Sequence, residues 1–99
     1  MHAPIALFTY NRPKHLRRVL DSLLRNKESF SSDLVVYSDA AKTMDDEKAV
    51  TEVRKIIDGL DGFASIKIIK RKVNLGLATS IITGVTDLLR ESEKIIVIE

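Results

Sequence analysis

Four short runs of apolar, β-branched and aromatic residues recur along the chain, each separated from the next by a segment of different periodicity. The runs occupy residues 4–10, 34–38, 65–71 and 94–99. Each run is too short for a core helix, and its composition favours an extended conformation. Largely apolar strands are typical of sheets that are covered on both faces, so these runs predict a buried, mostly parallel sheet.

Between the runs, apolar residues recur at intervals of three and four, which is the spacing of one face of an α-helix. The first helix is predicted from Pro13 to about Asn26, with the proline in the first turn, where its missing N–H would have had no partner. Thr43 or Asp45 is expected to cap the second helix, and the third is expected to end in residues 90–93. The apolar stripes comprise Leu16, Val19, Leu20, Leu23 and Leu24 in the first helix, Val50, Val53, Ile56, Ile57 and Leu60 in the second, and Leu77, Ile81, Ile82, Val85, Leu88 and Leu89 in the third.

The order of these elements determines the class of fold. Four strands that alternate with three helices predict an α/β fold of three layers, α/β/α, in which a mostly parallel four-stranded sheet is covered on both faces in a Rossmann-like arrangement. The chain is long enough for one such domain, which we expect to span residues 1–99. In sheets of this kind, ligands bind beyond the carboxyl ends of the strands. The residues that directly follow each strand are therefore the first candidates for function.

Composition excludes several classes of function. Sixteen basic residues oppose fourteen acidic ones, and the net charge of +2 is too small to indicate a nucleic-acid-binding surface. The absence of cysteine excludes disulfides, thiolate metal sites and cysteine nucleophiles. No apolar run approaches the ~20 residues that a membrane-spanning helix needs, and the N-terminus lacks the layout of a signal peptide. We therefore expect a soluble, cytoplasmic protein.

The glycines and histidines exclude further kinds of site. The glycines are Gly59, Gly62, Gly76 and Gly84. They form neither a dinucleotide-binding signature nor a P-loop, which argues against a dehydrogenase or an ATPase. There is also no G-x-S-x-G elbow of the hydrolase type. His2 and His15 lack ligand spacing with an acidic partner on one element, so we interpret both as surface residues.

The exit of the first predicted strand places an aromatic ring, an amide and a guanidinium side by side. Tyr10 can stack on a base, and Arg12 can bind a phosphate near the N-terminus of the first helix. Arg12, Lys14 and His15 oppose the helix dipole there at a cost of roughly 0.3–1 kcal/mol each, which an anionic ligand would offset. A solvent-exposed turn, with Tyr10 packed on the sheet edge, is the alternative, and the sequence leaves both open.

Asp39, at the end of the second predicted strand, also has two possible roles. It can accept a hydrogen bond from a ring N–H or a ribose hydroxyl. It can equally cap the following loop through an Asx-turn, and both roles remain open. Two clusters of like charge, at residues 12–18 and 45–47, are interpreted as solvent-exposed helix surface.

Three strand-end motifs carry a resemblance to a known family. They are Tyr10-Asn11-Arg12, Ser38-Asp39 and Asn74-Leu75-Gly76. In this order, and over essentially the whole chain, they resemble the N-terminal part of a GT-A type glycosyltransferase, both of the bacterial family-2 group and of the N-acetylglucosaminyltransferase I type. The resemblance implies that Tyr10 stacks on the nucleotide base, Asp39 recognises that base and Arg12 contacts the sugar nucleotide. Asn74 and Gly76 match the Asn-x-Gly turn that opens the third helix beside the donor.

The resemblance also implies an activity for the full-length protein. Such an enzyme transfers a sugar from a nucleoside-diphosphate sugar to an acceptor, with a divalent cation, Mn or Mg, as cofactor. Glu99 would be the first residue of an acidic metal motif, so the chain would be the nucleotide-sugar-binding fragment of a larger enzyme. A single carboxylate is a poor cation site. We therefore expect the fragment alone to bind no cation and to be inactive, and we assign no catalytic residue.

One departure and one competing interpretation accompany the resemblance. Family-2 members commonly continue toward Ala-Arg-Asn where this chain has Ser80, Ile81 and Ile82, and we expect the aliphatic side chains among these in the core. The competing interpretation is a non-catalytic α/β binding or interaction module, in which the strand-end polar residues serve only as turns. A sheet without its next strand exposes an edge that can pair with a second copy, which predicts a homo-oligomer.

Overall fold

The computed structural model describes residues 3–99, so the prediction for His2 lies outside the described residues. Within this range the strands are β1 (Ile5–Thr9), β2 (Asp33–Ser38), β3 (Ser65–Lys70) and β4 (Ile96–Ile98). The helices are α1 (Pro13–Arg25), α2 (Glu47–Asp58) and α3 (Leu77–Leu89), with short 3-10 turns at Lys27–Ser31 and Met44–Asp46. α3 thus ends earlier than predicted. None of the helices in the described range is long and apolar enough to cross a membrane.

The four strands form one sheet in the spatial order β3, β2, β1, β4, and every neighbouring pair is parallel. Ile5 of β1 pairs with Leu34 of β2 on one side and with Ile96 of β4 on the other. The prediction of a mostly parallel four-stranded sheet is therefore confirmed. β4 is shorter than the predicted run at residues 94–99, because its pairing with β1 extends only from Ile96 to Ile98.

Helices cover both faces of the sheet, which confirms the three-layer α/β/α arrangement. α1 and α2 contact each other and pack on one face. That face contributes Ile5, Leu7, Leu34 and Val36 to the core. α3 lies over the opposite face, which carries Ala6, Phe8, Val35 and Tyr37. The chain moves from β1 through β2 to β3 and then returns past β1 to β4, and right-handed crossovers in opposite directions place their helices on opposite faces.

α3 approaches the sheet closely at Gly84. Beneath it, the Phe8 and Tyr37 rings are stacked with centroids 4.9 Å apart and planes 9° from parallel. A Cβ atom on Gly84 would lie 2.9 Å from Phe8 and 3.0 Å from Tyr37, whose hydroxyl donates a hydrogen bond to the Gly84 carbonyl. The expectation that the aliphatic residues after Ser80 belong in the core is wrong for Ile82. It is 67% exposed, because a helix seated on Gly84 directs Ile82 outward.

The start of α2 also differs from the prediction. Asp46 directly precedes the helix, and its side chain accepts no hydrogen bond from the first turn. The expectation that Thr43 or Asp45 caps α2 is therefore wrong. The preceding 3-10 turn displaces both residues from the capping position, and the Asp46 carboxylate accepts hydrogen bonds from Tyr10 and Asn11 instead.

Candidate functional site

A cleft of about 520 Å³ opens at the carboxyl end of the sheet. The strand order reverses between β1 and β4, and this reversal is the point at which α/β sheets bind ligands. The residues that the sequence singles out, Tyr10, Arg12, Asp39, Asn74, Gly76 and Glu99, all line the cleft. They come from both ends of the chain and meet because parallel strands bring their carboxyl ends to one edge.

Apolar side chains line the cleft alongside these polar ones. Leu7 contributes from β1, Leu16 from α1, and Leu77 from the first turn of α3. Ser80, on the same helix, is 6% exposed, and its Oγ has no hydrogen-bond partner within residues 3–99. Buried polar atoms are usually paired, so the lining combines apolar surface with an unpaired hydroxyl that the sequence did not single out as a site.

The Asp39 carboxylate organises the wall formed by the loop between β3 and α3. Oδ1 accepts hydrogen bonds from the backbone N–H groups of Ala40 and Leu75, each at 2.9 Å. Oδ2 accepts from the backbone N–H of Gly76 at 3.0 Å and from Asn74 Nδ2 at 3.3 Å. Two bonds to each oxygen fill the acceptor positions of an ionised carboxylate. Only the bond from Ala40 lies in the following loop, which the sequence predicts that Asp39 can cap. The other three bonds anchor the loop between β3 and α3, a role that the sequence did not indicate.

Asn74 and Gly76 set the path of the chain into α3. Asn74 Nδ2 also donates to the Ala40 carbonyl at 2.8 Å, so this amide bridges the loops that follow β2 and β3. Gly76 has a φ of +80°, a left-handed conformation that residues with a side chain rarely adopt. It directly precedes the helix, so the wall of the cleft depends on a glycine at this position.

Arg54, on α2, stabilises the same wall through hydrogen bonds to β2 and to the residue after β3. No pattern in the sequence marks it as part of the site. Its Nη2 donates to the Arg71 carbonyl at 2.8 Å, and its Nε donates to Ser38 Oγ at 3.0 Å. Nη2 also lies 3.3 Å and 3.4 Å from the carbonyl oxygens of Ser38 and Asp39. One guanidinium therefore joins the carboxyl ends of β2 and β3 and fixes the residues from which the wall extends.

The N-terminus of α1 faces the cleft, and its own first turn supplies no acid. Arg12 is the residue before the helix, no side chain caps the first turn, and that turn contains no acidic residue. Arg12, His15 and Lys42 all line the cleft. His15 Nε2 lies 3.3 Å from the backbone carbonyl oxygen of Glu99, so it is a cleft residue and not only the surface residue that we predicted. The positive helix end and these basic side chains favour an anion.

Asp46 joins the loop after β1 to the start of α2. The Tyr10 hydroxyl donates to Asp46 Oδ2 at 2.6 Å, and Asn11 Nδ2 donates to Asp46 Oδ1 at 3.0 Å. The backbone N–H of Lys42 donates to Tyr10 Oη at 3.3 Å. The interpretation of residues 45–47 as solvent-exposed surface alone is therefore wrong for Asp46. Thr43 Oγ1 also lies 3.5 Å from Asp46 Oδ2, but Tyr10 and Asn11 are distant in the sequence, and no local pattern identifies them.

This contact shifts the titration of both partners. The hydrogen bond to Asp46 raises the pKa of Tyr10, and the hydrogen bonds from Tyr10 and then Asn11 lower the pKa of Asp46. Because the folded pKa of Asp46 is lowered, the contact is fully present above the ordinary carboxyl pKa. It is lost as the pH falls through the lowered value. The link is therefore intact at neutral pH.

The described residues do not by themselves fit a divalent cation. Within residues 3–99, no three or more His, Asp or Glu side chains are grouped so that they could hold a metal ion. Glu99 lines the cleft, but Mg and Mn take several oxygen ligands. The Asp39 carboxylate, the other acid in the lining, is occupied by amide donors. The Mn or Mg implied by the resemblance therefore finds no ligand set among these residues.

The chain was also compared with known proteins. No model of a protein family matches it, and no curated protein or solved structure matches it either. The function is therefore inferred from the geometry of the cleft and from the strand-end motifs.

Proposed function

We propose that the cleft binds a nucleoside-diphosphate sugar and that the chain is the donor-binding part of a glycosyltransferase. In the full-length protein, this activity transfers the sugar to an acceptor. Tyr10 stacks on the base, and Arg12 contacts the diphosphate. The loop that Asp39, Asn74 and Gly76 hold together forms the wall beside the donor.

The observation that carries this proposal is the charge at the cleft. The uncapped N-terminus of α1 meets Arg12, His15 and Lys42 at the topological switch point. The acids in the lining are Glu99 and Asp39, and the Asp39 carboxylate is already filled by amide donors. A diphosphate suits this end of the cleft, because helix N-termini and guanidinium groups both bind phosphate oxygens. The Tyr10 ring, in the same lining, offers an aromatic face to a base.

A divalent cation, Mg or Mn, belongs to the same proposal for the full-length enzyme, with Glu99 as one ligand. Because the described residues do not complete a site for it, we derive no step through the cation. In this proposal, residues 3–99 supply recognition of the donor through the cleft.

Nucleotide binding by the chain tests the proposal. Isothermal titration with uridine and guanosine diphosphates, with and without Mn, should detect binding of at least one of them. Arg12→Ala should weaken that binding about tenfold, the loss expected for one charge-assisted hydrogen bond. Arg18→Ala is the matched control, since Arg18 is an exposed arginine on the same helix that does not line the cleft.

Absence of binding to every nucleoside diphosphate would overturn the proposal. Equal losses in Arg12→Ala and Arg18→Ala would do the same, because they would indicate attraction by net charge alone. Either result would favour the competing interpretation, a non-catalytic α/β binding module.

We also propose that the chain associates with itself through β4. Ile96 and Val97 of this edge strand are 48% and 44% exposed, and β4 carries no charged residue, whereas β3 at the other edge carries Lys67 and Lys70. Uncharged, unpaired edges promote strand pairing between molecules. Light scattering should show a mass that rises above 11.1 kDa with concentration, and Val97→Lys should reverse the rise. A monomer at high concentration would contradict this proposal.

A further inference from the structure

We propose that Asp46 is a positioning residue for the cleft, which fixes the Tyr10 ring and the Asn11 amide before a ligand arrives. This inference rests on the proposed function, because it takes the ligand of the cleft to be a nucleotide that stacks on Tyr10. It assigns a role to a side chain that the strand-end motifs do not contain.

The geometry is that of a two-point clamp. The two oxygens of the Asp46 carboxylate accept from two neighbouring residues of the loop after β1, Tyr10 at 2.6 Å and Asn11 at 3.0 Å. Tyr10 Oη in turn accepts from the backbone N–H of Lys42, so the ring is tied at its tip to the connection between β2 and α2. A tyrosine held at both its backbone and its hydroxyl has little freedom to rotate away from the cleft.

Holding the ring in advance has a direct consequence for affinity. A ligand that stacks on a mobile side chain must immobilise it, and the lost rotamer freedom reduces the affinity. With Asp46 in place, that cost is met during folding and not during binding. Neighbouring Asp45 is exposed and has no hydrogen bond or ion pair within residues 3–99. A variant of Asp45 therefore distinguishes the effect of losing a charge in this segment from the effect of losing the contacts of Asp46.

The affinity for a nucleoside diphosphate tests whether the contacts of Asp46 contribute to binding. Asp46→Ala should weaken binding of the nucleoside diphosphate about tenfold, the cost of losing charge-assisted hydrogen bonds that hold the ring. Tyr10→Phe keeps the ring but removes the hydroxyl, and it should weaken binding by a similar factor. Combining the two should cost much less than a hundredfold, because both changes remove the same Tyr10–Asp46 hydrogen bond. Asp45→Asn, the matched control, should leave the affinity unchanged.

Tyrosine ionisation gives a second readout that does not depend on a ligand. The chain has two tyrosines and no tryptophan, so the ultraviolet absorbance of tyrosinate reports Tyr10 once the spectrum of Tyr10→Phe is subtracted. Because the hydrogen bond to Asp46 raises the pKa of Tyr10, Asp46→Ala should move this transition to lower pH. Asp46→Asn, which keeps an acceptor without the charge, should move it less, and Asp45→Asn should not move it.

The outcomes separate this inference from the proposed function. If the nucleotide binds Asp46→Ala as tightly as it binds the unaltered chain, the positioning role is overturned while nucleotide binding stands. If no nucleotide binds the unaltered chain, the proposed function fails, and the tyrosine titration still decides whether Asp46 holds the ring. A Tyr10 transition at the same pH in Asp46→Ala and the unaltered chain would overturn the contact itself.

Discussion

Asp39→Ala is expected to lower the free energy of unfolding by about 3 kcal/mol, because it leaves several donors without an acceptor. The carboxylate accepts from three backbone N–H groups and from Asn74 Nδ2, and Asp39 is only 5% exposed, so water cannot easily replace it. Urea denaturation followed by circular dichroism measures the loss. If the cleft binds a nucleotide, the same variant should bind it more weakly, since the wall of the cleft is no longer held.

Two controls sharpen this prediction. Asp39→Asn keeps one acceptor oxygen and should lose less stability than Asp39→Ala. Asp61→Ala removes the charge of an exposed aspartate that has no hydrogen bond within residues 3–99 and should change the stability little. If Asp39→Ala proved as stable as Asp61→Ala, the loop between β3 and α3 would be held by other contacts, and the anchoring role of Asp39 would be wrong.

Gly84→Val is expected to destabilise the chain by about 3 kcal/mol, because the side chain would be forced into the Phe8–Tyr37 stack. A Cβ at this position already lies 2.9 Å from Phe8 and 3.0 Å from Tyr37, and both rings are buried. Gly84→Ala should cost less, since the better helix propensity of alanine, about 1 kcal/mol, offsets part of the clash. Denaturation gives the stability, and near-ultraviolet circular dichroism reports the disturbed tyrosine.

Gly59→Ala is the matched control for this glycine. Its Cβ would meet only backbone oxygens at 3.8 Å and 3.9 Å, which is ordinary contact. The substitution should therefore be nearly neutral. Equal stability of Gly84→Val and Gly59→Ala would mean that α3 does not pack on the sheet through Gly84, and the position of α3 at the cleft would need to be revised.

The fold could be predicted from the sequence because its signals are local and repeated. Runs such as Leu34 to Ser38 are too short and too apolar for anything but a buried strand, and stripes such as that from Val50 to Leu60 match one face of a helix. The order of these elements then limits the topology to a parallel sheet between two layers of helices. The bounds of β4 depend on how far it pairs with β1, so the strand predicted at residues 94–99 is longer than the observed Ile96–Ile98.

The cleft could be predicted in its location but not in its internal contacts. Strand-end residues such as Tyr10 and Asp39 meet at one edge in any parallel sheet, so their convergence follows from the topology. The hydrogen-bond partner of each side chain depends on distances of a few ångströms between segments that are far apart in the chain. Nothing local to residues 45–47 distinguishes Asp46, which binds Tyr10, from Asp45, which is exposed. Nor does the sequence distinguish Arg54 from the other polar residues of the amphipathic helix α2.

The contacts that hold the loops and α3 on the sheet also shape the cleft on which the proposed function depends. Arg54 and Asp39 hold the loops after β2 and β3, and the Gly84 contact seats α3. The N-terminus of α1 then faces a cleft with fixed walls and basic side chains. Binding at such a site requires little rearrangement of the protein, which favours affinity for an anionic ligand.

Amide proton–nitrogen correlation spectra of the 11.1 kDa chain, recorded during titration with a nucleoside diphosphate, test the central claim most directly. We expect the largest shifts at residues that line the cleft, above all Tyr10, Arg12, His15, Lys42 and Gly76. Amides at the far end of the sheet, such as Asp33 and Ser65 at the starts of β2 and β3, should stay in place. Shifts that are absent, or that are largest away from the carboxyl end of the sheet, would contradict nucleotide binding in this cleft.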